Sequence, residues 1–557
     1  METARLCLLL LALLALSGIA TRHLPVPTPF VQIALGALAG WPAHGLHVEF
    51  EPDLFLLLFI PPLLFVDAWR IPKRELIRNR TPVILLALGL VLFTIVGVGS
   101  MVHWLVPAIP LAAAFALAAV LSPTDAVALS AITAGSKMPA RLQGILQGEA
   151  LLNDASGLVS FKFALAAALT GVFSLGSAAF GLLAVGLGGL LIGAALAFLF
   201  DWALRFVGGR ADGDTATESL LMLLLPIAAY MLAEHVGASG ILSAVAAGLA
   251  MDSTGFLRRG SAVQRTQGRF VWGMVEFVFN GLIFLLLGLY VPISIRSATN
   301  AQASIAGYLG DLFMLIGATT LALIGLRFVW VCVTLPFEGW IARRARLEWH
   351  WPGLRLVGAA SLGGLRGAIA LAGILSLPRL MPDGSPFPQR DLLIEVVLGV
   401  VLCSLVLGAV GLPPLLRGVR AGPGADPKHA RHAALVAAAT AALAAVEARQ
   451  DALLAACDER QAELCRKAAS ALIARYRHII DFGAKEGPPL SAGDTPTDSE
   501  LAASFGTELR LAGLQAARDE LYEAKASARI DEQTLKSIGG ELDLAELSLR
   551  IGSRSNE

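Results

Sequence analysis

The sequence predicts an all-α polytopic membrane protein: about thirteen spanning helices over residues 1–420, followed by a cytoplasmic helical domain over 421–557. Three observations carry this. Hydrophobic residues make up 56% of the 557, charged residues only 15%, and the mean hydropathy is +0.69. Apolar runs of about eighteen residues or more recur along the first three quarters of the chain, each long enough to cross a bilayer. The connecting loops alternate between rich and poor in Lys and Arg, as the two faces of a membrane require.

Taken in order, the apolar stretches lie near 6–21, 26–42, 52–69, 82–106, 110–133, 140–171, 178–207, 217–236, 239–252, 267–293, 305–337, 355–379 and 391–417. The first, LCLLLLALLALSGIA, reads as a retained helix and not a signal peptide, because a second apolar stretch follows after THR and Pro25. Basic residues follow the odd-numbered spans: Arg22, Arg70, Lys73, Arg74, Arg78 and Arg80, Lys137 and Arg141, Arg205 and Arg210. The pattern continues with Arg258, Arg259, Arg265, Arg269, Arg343, Arg344, Arg346, Arg355, Arg417 and Arg420. That is roughly twenty residues, against Arg5, Arg296, Arg379 and Arg390 elsewhere, so the N-terminus is expected outside and the C-terminus in the cytoplasm. After AGPGADPKHA the chain turns Ala-, Leu-, Glu- and Arg-rich at helical period, broken once by GPPLSAGDTPTDSE. The formal net charge is zero, which offers no case for nucleic acid, and the five cysteines form no CxxC pair. No cofactor is expected.

Polar residues inside the spans are the functional signal, since an ionisable group at membrane depth costs roughly 3 kcal/mol or more. Span five reads LSPTDAVAL: Pro123 interrupts the helix and frees carbonyls, and Ser122, Thr124 and Asp125 place oxygens beside the break. Oxygen ligands at an interrupted helix suit a hard cation, although Asp125 could also cap the second half. Span six holds GEALLNDASGL. Glu149 and Asn153 share one helical face, whereas Asp154 lies about 140° round from Glu149. The two carboxylates therefore serve different partners, and Asp154, deeper from the loop, is the better ion candidate. Arg327 in span eleven needs an anion, for which Glu149 is the natural partner. Arg366 lies in the glycine-interrupted span twelve with Gly363, Gly364 and Gly367, where unwinding is permitted, and is expected to compensate charge at the broken helices or to form a structural pair. Asp67 in span three reads equally as a path-lining or an interfacial acid. Glu276 and Asn280, one turn apart in span ten, read as a pair facing the cytoplasmic side.

FIPPLLF in span three, LSPTDAVAL in span five, GEALLNDASGL in span six and GGLRGAIALA in span twelve occur in this order. Together they make residues 10–420 resemble the monovalent cation:proton antiporters of the sodium/proton exchanger branch, the bacterial NhaP-like proteins and their animal relatives. The resemblance implies two inverted repeats, spans one to six and eight to thirteen. It also implies a homodimer, with a dimerisation domain from spans 1–3 and 7–10 and a moving core domain from spans 4–6 and 11–13. Discontinuous spans five and twelve would cross at the centre. The cation would sit between Asp154, Asp125, Thr124 and, in some members, Asp67; Glu149 and Arg327 would form a structural bridge. Asn153 stands where electrogenic relatives carry a second aspartate, which implies electroneutral exchange. One departure is Ala150, where many NhaP-like members have a serine; a water or Ser156 is the expected substitute.

The expected function is therefore exchange of Na+, or of Li+ or K+, for H+ across a bacterial inner membrane. Ion and proton compete for Asp154, and the core domain carries the site in elevator fashion. Two other classes are disfavoured. GASG around Ser239 matches a rhomboid-type pattern, but the next histidine, His350, lies in a loop. A cation channel or sensor using the C-terminal domain is the other.

Overall fold

The computed structural model describes residues 2–41, 57–134, 138–171, 175–208, 215–254, 262–300, 305–344, 353–367, 369–417, 427–482, 500–527, 529–530 and 532–554. The inter-domain linker up to residue 426 and the break at 487–499 lie outside them. So do residues 52–56 of span three, Lys137, Arg210, Arg258, Arg259, Arg346, Arg420 and His350. The described residues are helical, with one isolated β-bridge between Leu380 and Pro386.

The chain divides into two units, Met1–Phe256 with Val271–Ala421, and Leu257–Phe270 with Gly422–Glu557. In the first, α1 (Glu2–Ala20) and α2 (Thr28–Ala39) precede α3 (Ile60–Arg70) and the short α4 (Lys73–Arg78). Next comes α5 (Arg80–Leu105), which contains a π-helical turn at Leu85–Leu90. The fifth apolar stretch is two helices, α6 (Leu111–Leu121) and α7 (Ala126–Thr133), whose axes differ by 44°. Then follow α8 (Ala140–Thr170), α9 (Leu175–Gly208), α10 (Thr215–His235), α11 (Gly240–Ser253), α12 (Ala262–Asn300) and α13 (Ile305–Arg344). The twelfth stretch is again two helices, α14 (Leu354–Leu362) and α15 (Ile369–Leu375), and α16 (Arg390–Leu416) closes the unit. Seven described helices of the whole chain are long and apolar enough to cross a membrane, eight if the bent pair counts as one span. This is a multi-pass membrane protein.

Beside one large core, smaller ones lie inside this unit, two of which border the site. One joins Phe65 and Val66 of α3 to Ala197, Met222, Ala247 and Trp272, from α9 to α12. The other joins Leu86 and Leu90 of the π-turn to Val331, Leu335 and Val357 of α13 and α14. Helices cross very closely where glycine permits it: a Cβ on Gly36 of α2 would fall 2.0 Å from the Leu285 carbonyl oxygen of α12. In a bilayer such small-residue contacts replace the hydrophobic effect as the source of helix association.

The second unit contains α17 (Pro427–Leu454), α18 (Glu459–Phe482), α19 (Glu500–Ala526) and α20 (Glu532–Arg554). Over Arg431–Leu454, α17 is itself long and apolar enough to span a bilayer. Its apolar face is covered instead: Ala434, Leu435, Ala438, Ala439, Ala442 and Val446 are buried with residues of α18 and α19. The first turns of α12, up to Phe270, group with this unit and not with the rest of their helix. Arg265 reaches Asp543 at 2.8 Å and Glu546 at 3.3 Å, and Arg518 reaches the same two acids at 3.2 and 2.6 Å. All four are buried, and four charges leave water tolerably only in such a mutually neutralising arrangement.

Candidate ion-binding site

The site is built where the two interrupted helices meet. Pro123 follows Ser122 at the end of α6, and the missing N–H there ends the helical ladder. The chain runs extended through Asp125, which is the N-cap of α7 and accepts from the N–H groups of Val127 and Ala128, each at 2.9 Å. Both bonds use Oδ1, and this carboxylate lies at the positive end of α7. The Ser122 hydroxyl donates to Ala119 in its own last turn at 2.8 Å.

The second interruption lies between Leu362 and Ile369. Gly363 closes α14 by donating to the Ala359 carbonyl at 2.8 Å, and Gly364 packs on the Arg327 side chain. The two interruptions are laced together: the Asp125 N–H donates to the Leu365 carbonyl at 2.8 Å. Arg366 donates in return to the carbonyls of Ser122 and Pro123, the latter at 3.0 Å. Arg366 is 3% exposed and thus places a full positive charge against the negative end of α6. Gly367 lies against Asp125 so closely that a Cβ on it would be 2.7 Å from Oδ2.

Helix α8 contributes the remaining polar groups. Glu149 and Arg327, both essentially without solvent exposure, form a bidentate pair with Nη2–Oε2 at 2.6 Å. The Arg327 Nε donates to the Ala360 carbonyl at 2.8 Å, so the end of α14 also has a guanidinium against it. Asn153 donates to the Thr124 hydroxyl at 2.8 Å and lies 3.5 Å from Glu149 Oε1. It therefore ties α8 to the first interruption. Asp154 is buried and lies within electrostatic reach of Asp125 and Asp67. Asp67, on α3, is half-buried and feels Asp125, Glu276 and Arg70. Asp154, Asp125 and Asp67 thus influence one another electrostatically, with Thr124 held by Asn153 beside Asp125. Their oxygens are the kind a hard cation prefers, although among the described residues no three acidic, histidine or cysteine side chains stand close enough together to hold one ion.

Two residues at this site, Ser404 and Trp330, carried no clear mark in the sequence. The Ser404 hydroxyl of α16 accepts from the Arg366 backbone N–H at 3.0 Å. Ser156 commits its hydroxyl to the Ala87 carbonyl of the π-turn at 2.6 Å, while the Trp330 indole donates to Leu85 at 3.1 Å. A π-turn relaxes the regular ladder, so side-chain donors there are expected. Ala150 is buried and offers no oxygen. Glu276 is ion-paired with Arg70 of α3. Ser239, the centre of GASG, is a buried N-cap whose hydroxyl accepts from the Leu242 N–H at 3.2 Å, a structural reason for a serine there.

A model of the family described as "Sodium/hydrogen exchanger, transmembrane" matches residues 9–418. Over 555 residues and 99% of both chains, the protein is 41% identical to an uncharacterized Na(+)/H(+) exchanger, YjcE, of Escherichia coli K12. It is 42% identical over 424 residues to the sodium, potassium, lithium and rubidium/H(+) antiporter of Bacillus subtilis, covering 74% of this chain but 62% of that one. Among solved structures, the sodium proton antiporter MjNhaP1 of Methanocaldococcus jannaschii superimposes with a TM-score of 0.58 at 19% identity, over 75% of this chain and 99% of that one. That likeness speaks to the fold. With a family model matched over residues 9–418 and a relative 41% identical over nearly the whole of both chains, the chain belongs to the sodium/hydrogen exchanger family.

Proposed function

We propose that the protein exchanges Na+ for H+ across the membrane, with both ions competing for Asp154. The observation that carries this reading is the meeting of two interrupted helices at Asp125, to which α8, the helix that bears Asp154, is tied through Asn153 and Thr124, in a chain of this family. Deprotonated Asp154 with Asp125 and the Thr124 oxygen binds a dehydrated cation; protonated Asp154 does not. Either neutralised form can move through the low-dielectric layer, whereas the empty charged form pays the cost of exposing a carboxylate to it. Coupling then needs no mechanical link between the ions. Asn153, an amide bonded to Thr124, adds no second titrating charge beside Asp154, which favours one-for-one, electroneutral exchange. Glu149 is held by Arg327 and serves as structure.

The movement is of elevator type, with α5–α8 and α13–α16 as the moving body and α1–α3 with α9–α12 as the scaffold of a homodimer. The repeats are inverted, the membrane is the bacterial inner membrane, and the excess of Arg and Lys in alternate loops places the N-terminus outside and the C-terminus in the cytoplasm. No cofactor is needed for this cycle. A broader alkali-cation specificity, K+ included, is favoured by two facts: the name of the Bacillus subtilis relative and the lack of a side-chain oxygen at Ala150.

Replacing Asp154→Asn should abolish Na+-driven proton movement in everted vesicles, with the protein still inserted and monodisperse in detergent. Sodium-dependent proton flux retained by that variant would overturn the assignment. Addition of Na+ should collapse a preset pH gradient with the membrane potential clamped at zero, which a channel would not do.

A further inference from the structure

Two ion pairs flank the acidic cluster, and they differ in kind. Glu149–Arg327 is sealed, with side-chain exposures of 1% and 1%. Arg70–Glu276 is open, with exposures of 37% and 29%. A sealed pair is locked, because breaking it strands a buried charge; an open one has little net strength and can exchange partners. Arg70 also stands three residues after Asp67 on α3, a spacing that puts both side chains on one helical face. Asp67 in turn interacts with Glu276 on α12 and Asp125 on α7, and Asp154 on α8 with both Asp125 and Asp67. Arg70, paired with Glu276 and on the same helical face as Asp67, is therefore the cation that both acids share. Lys73, one turn further on, is engaged elsewhere, with Asp252 at 3.3 Å and Ser253 at 3.3 Å.

We propose that Arg70 is a built-in competitor of the transported cation. Paired with Glu276 it leaves Asp67 to the incoming ion; released from Glu276 it turns to Asp67 and lowers the apparent affinity of the site. Arg70 and Glu276 are thus affinity-setting residues that act through Asp67 without holding the ion themselves. This inference rests on the assignment of the ion site to Asp154, Asp125 and Asp67.

The test is a Na+ titration of proton exchange in proteoliposomes. Arg70→Gln should lower the half-saturating Na+ concentration about three- to tenfold, the scale expected of one partly screened charge several ångströms away. It should move this value more than the maximal rate. Glu276→Gln, which frees Arg70 for Asp67, should raise it by a similar factor. The double variant should titrate close to Arg70→Gln, because no competitor is left to be freed, and Arg70→Lys should keep the wild-type value. The shift of Arg70→Gln should shrink as choline chloride is added, because screening weakens it. Shifts of the two single variants in the same direction, or a loss of maximal rate with no change in half-saturation, would overturn the proposal and leave a structural rim pair. If Asp154→Asn still exchanged Na+, the site assignment and this inference would fall together. If Asp154→Asn were inactive and Arg70→Gln titrated as wild type, only the inference would fall.

Discussion

The two interrupted helices solve one problem with opposite chemistry. At the first, proline breaks the helix, and the break carries its own acid: Asp125 caps the new N-terminus through the N–H groups of Val127 and Ala128. At the second, glycines break the helix and no acid is present. Arg366 supplies a cation that is spent on the carbonyls of the first break, Ser122 and Pro123. Each break thus satisfies loose ends of the other: Asp125 gives its backbone N–H to Leu365, and Arg366 gives its side chain to the end of α6. The difference teaches that one break carries the acid proposed to face the ion, while the other holds the charge that keeps broken backbone tolerable in a membrane. Substitutions at the first should act mainly on transport. Those at the second should act on transport and stability together.

The largest effect that separates the two is expected at Asp125. Asparagine caps a helix about as well as aspartate, so Asp125→Asn preserves the start of α7 and removes only the charge. A cation about 4 Å from a carboxylate gains about 4 kcal/mol at an effective dielectric near 20. Exchange at limiting Na+ should therefore fall by about 100-fold or more, while the thermal midpoint of the purified protein stays close to the wild type. Exchange at the wild-type rate in this variant would reduce Asp125 to a cap and erase the contrast between the breaks.

Arg366→Gln comes next. A hydrogen bond from a charged donor is worth about 1.5–3 kcal/mol, and Arg366 makes two to backbone carbonyls that have left their helical ladder. Stability should drop by about 3 kcal/mol, read as a lower midpoint of thermal unfolding in detergent, and exchange should drop about tenfold. Arg366→Lys should recover part of both, since a lysine supplies the charge but not the fork. Were Arg366→Gln as stable as the wild type, the pairing of one break with the other would carry no weight.

Much of this was legible from sequence, and the limit has a physical cause. Apolar length is a local signal, so the described residues of the predicted stretches are helical, and those that carry Pro123 or the glycine run are divided. Asp125 beside Pro123 was readable for the same reason: the cap and the break are neighbours in the chain. Arg366 was expected to compensate charge at the broken helices, but which groups it would meet was not readable: it takes two carbonyls some 240 positions away, which only the tertiary register decides. Glu276 looked like a partner of Asn280 because they are one turn apart, yet its charge is met by Arg70 from another helix. The first turns of α12 read as the edge of a membrane span; their arginines instead meet Asp543 and Glu546 in the second unit. In each case the missing information was which helix lies alongside.

The smallest effect, and the finest probe of the contrast, lies at Gly367, where the second break touches the acid of the first. A Cβ there would stand 2.7 Å from Asp125 Oδ2 and 2.8 Å from Asp125 Cβ, closer than nonbonded atoms settle. In Gly367→Ala, Asp125 or the backbone beside it must shift to make room, while the charge of Asp125 is kept. The half-saturating Na+ concentration should rise about three- to tenfold, a cost of about 1 kcal/mol, with the maximal rate less affected. Gly310→Ala on α13, where a Cβ would meet nothing within 4 Å, should change neither quantity. If Gly367→Ala bound Na+ as the wild type does, the position of Asp125 would not matter to the ion, and the acid would act through its charge alone.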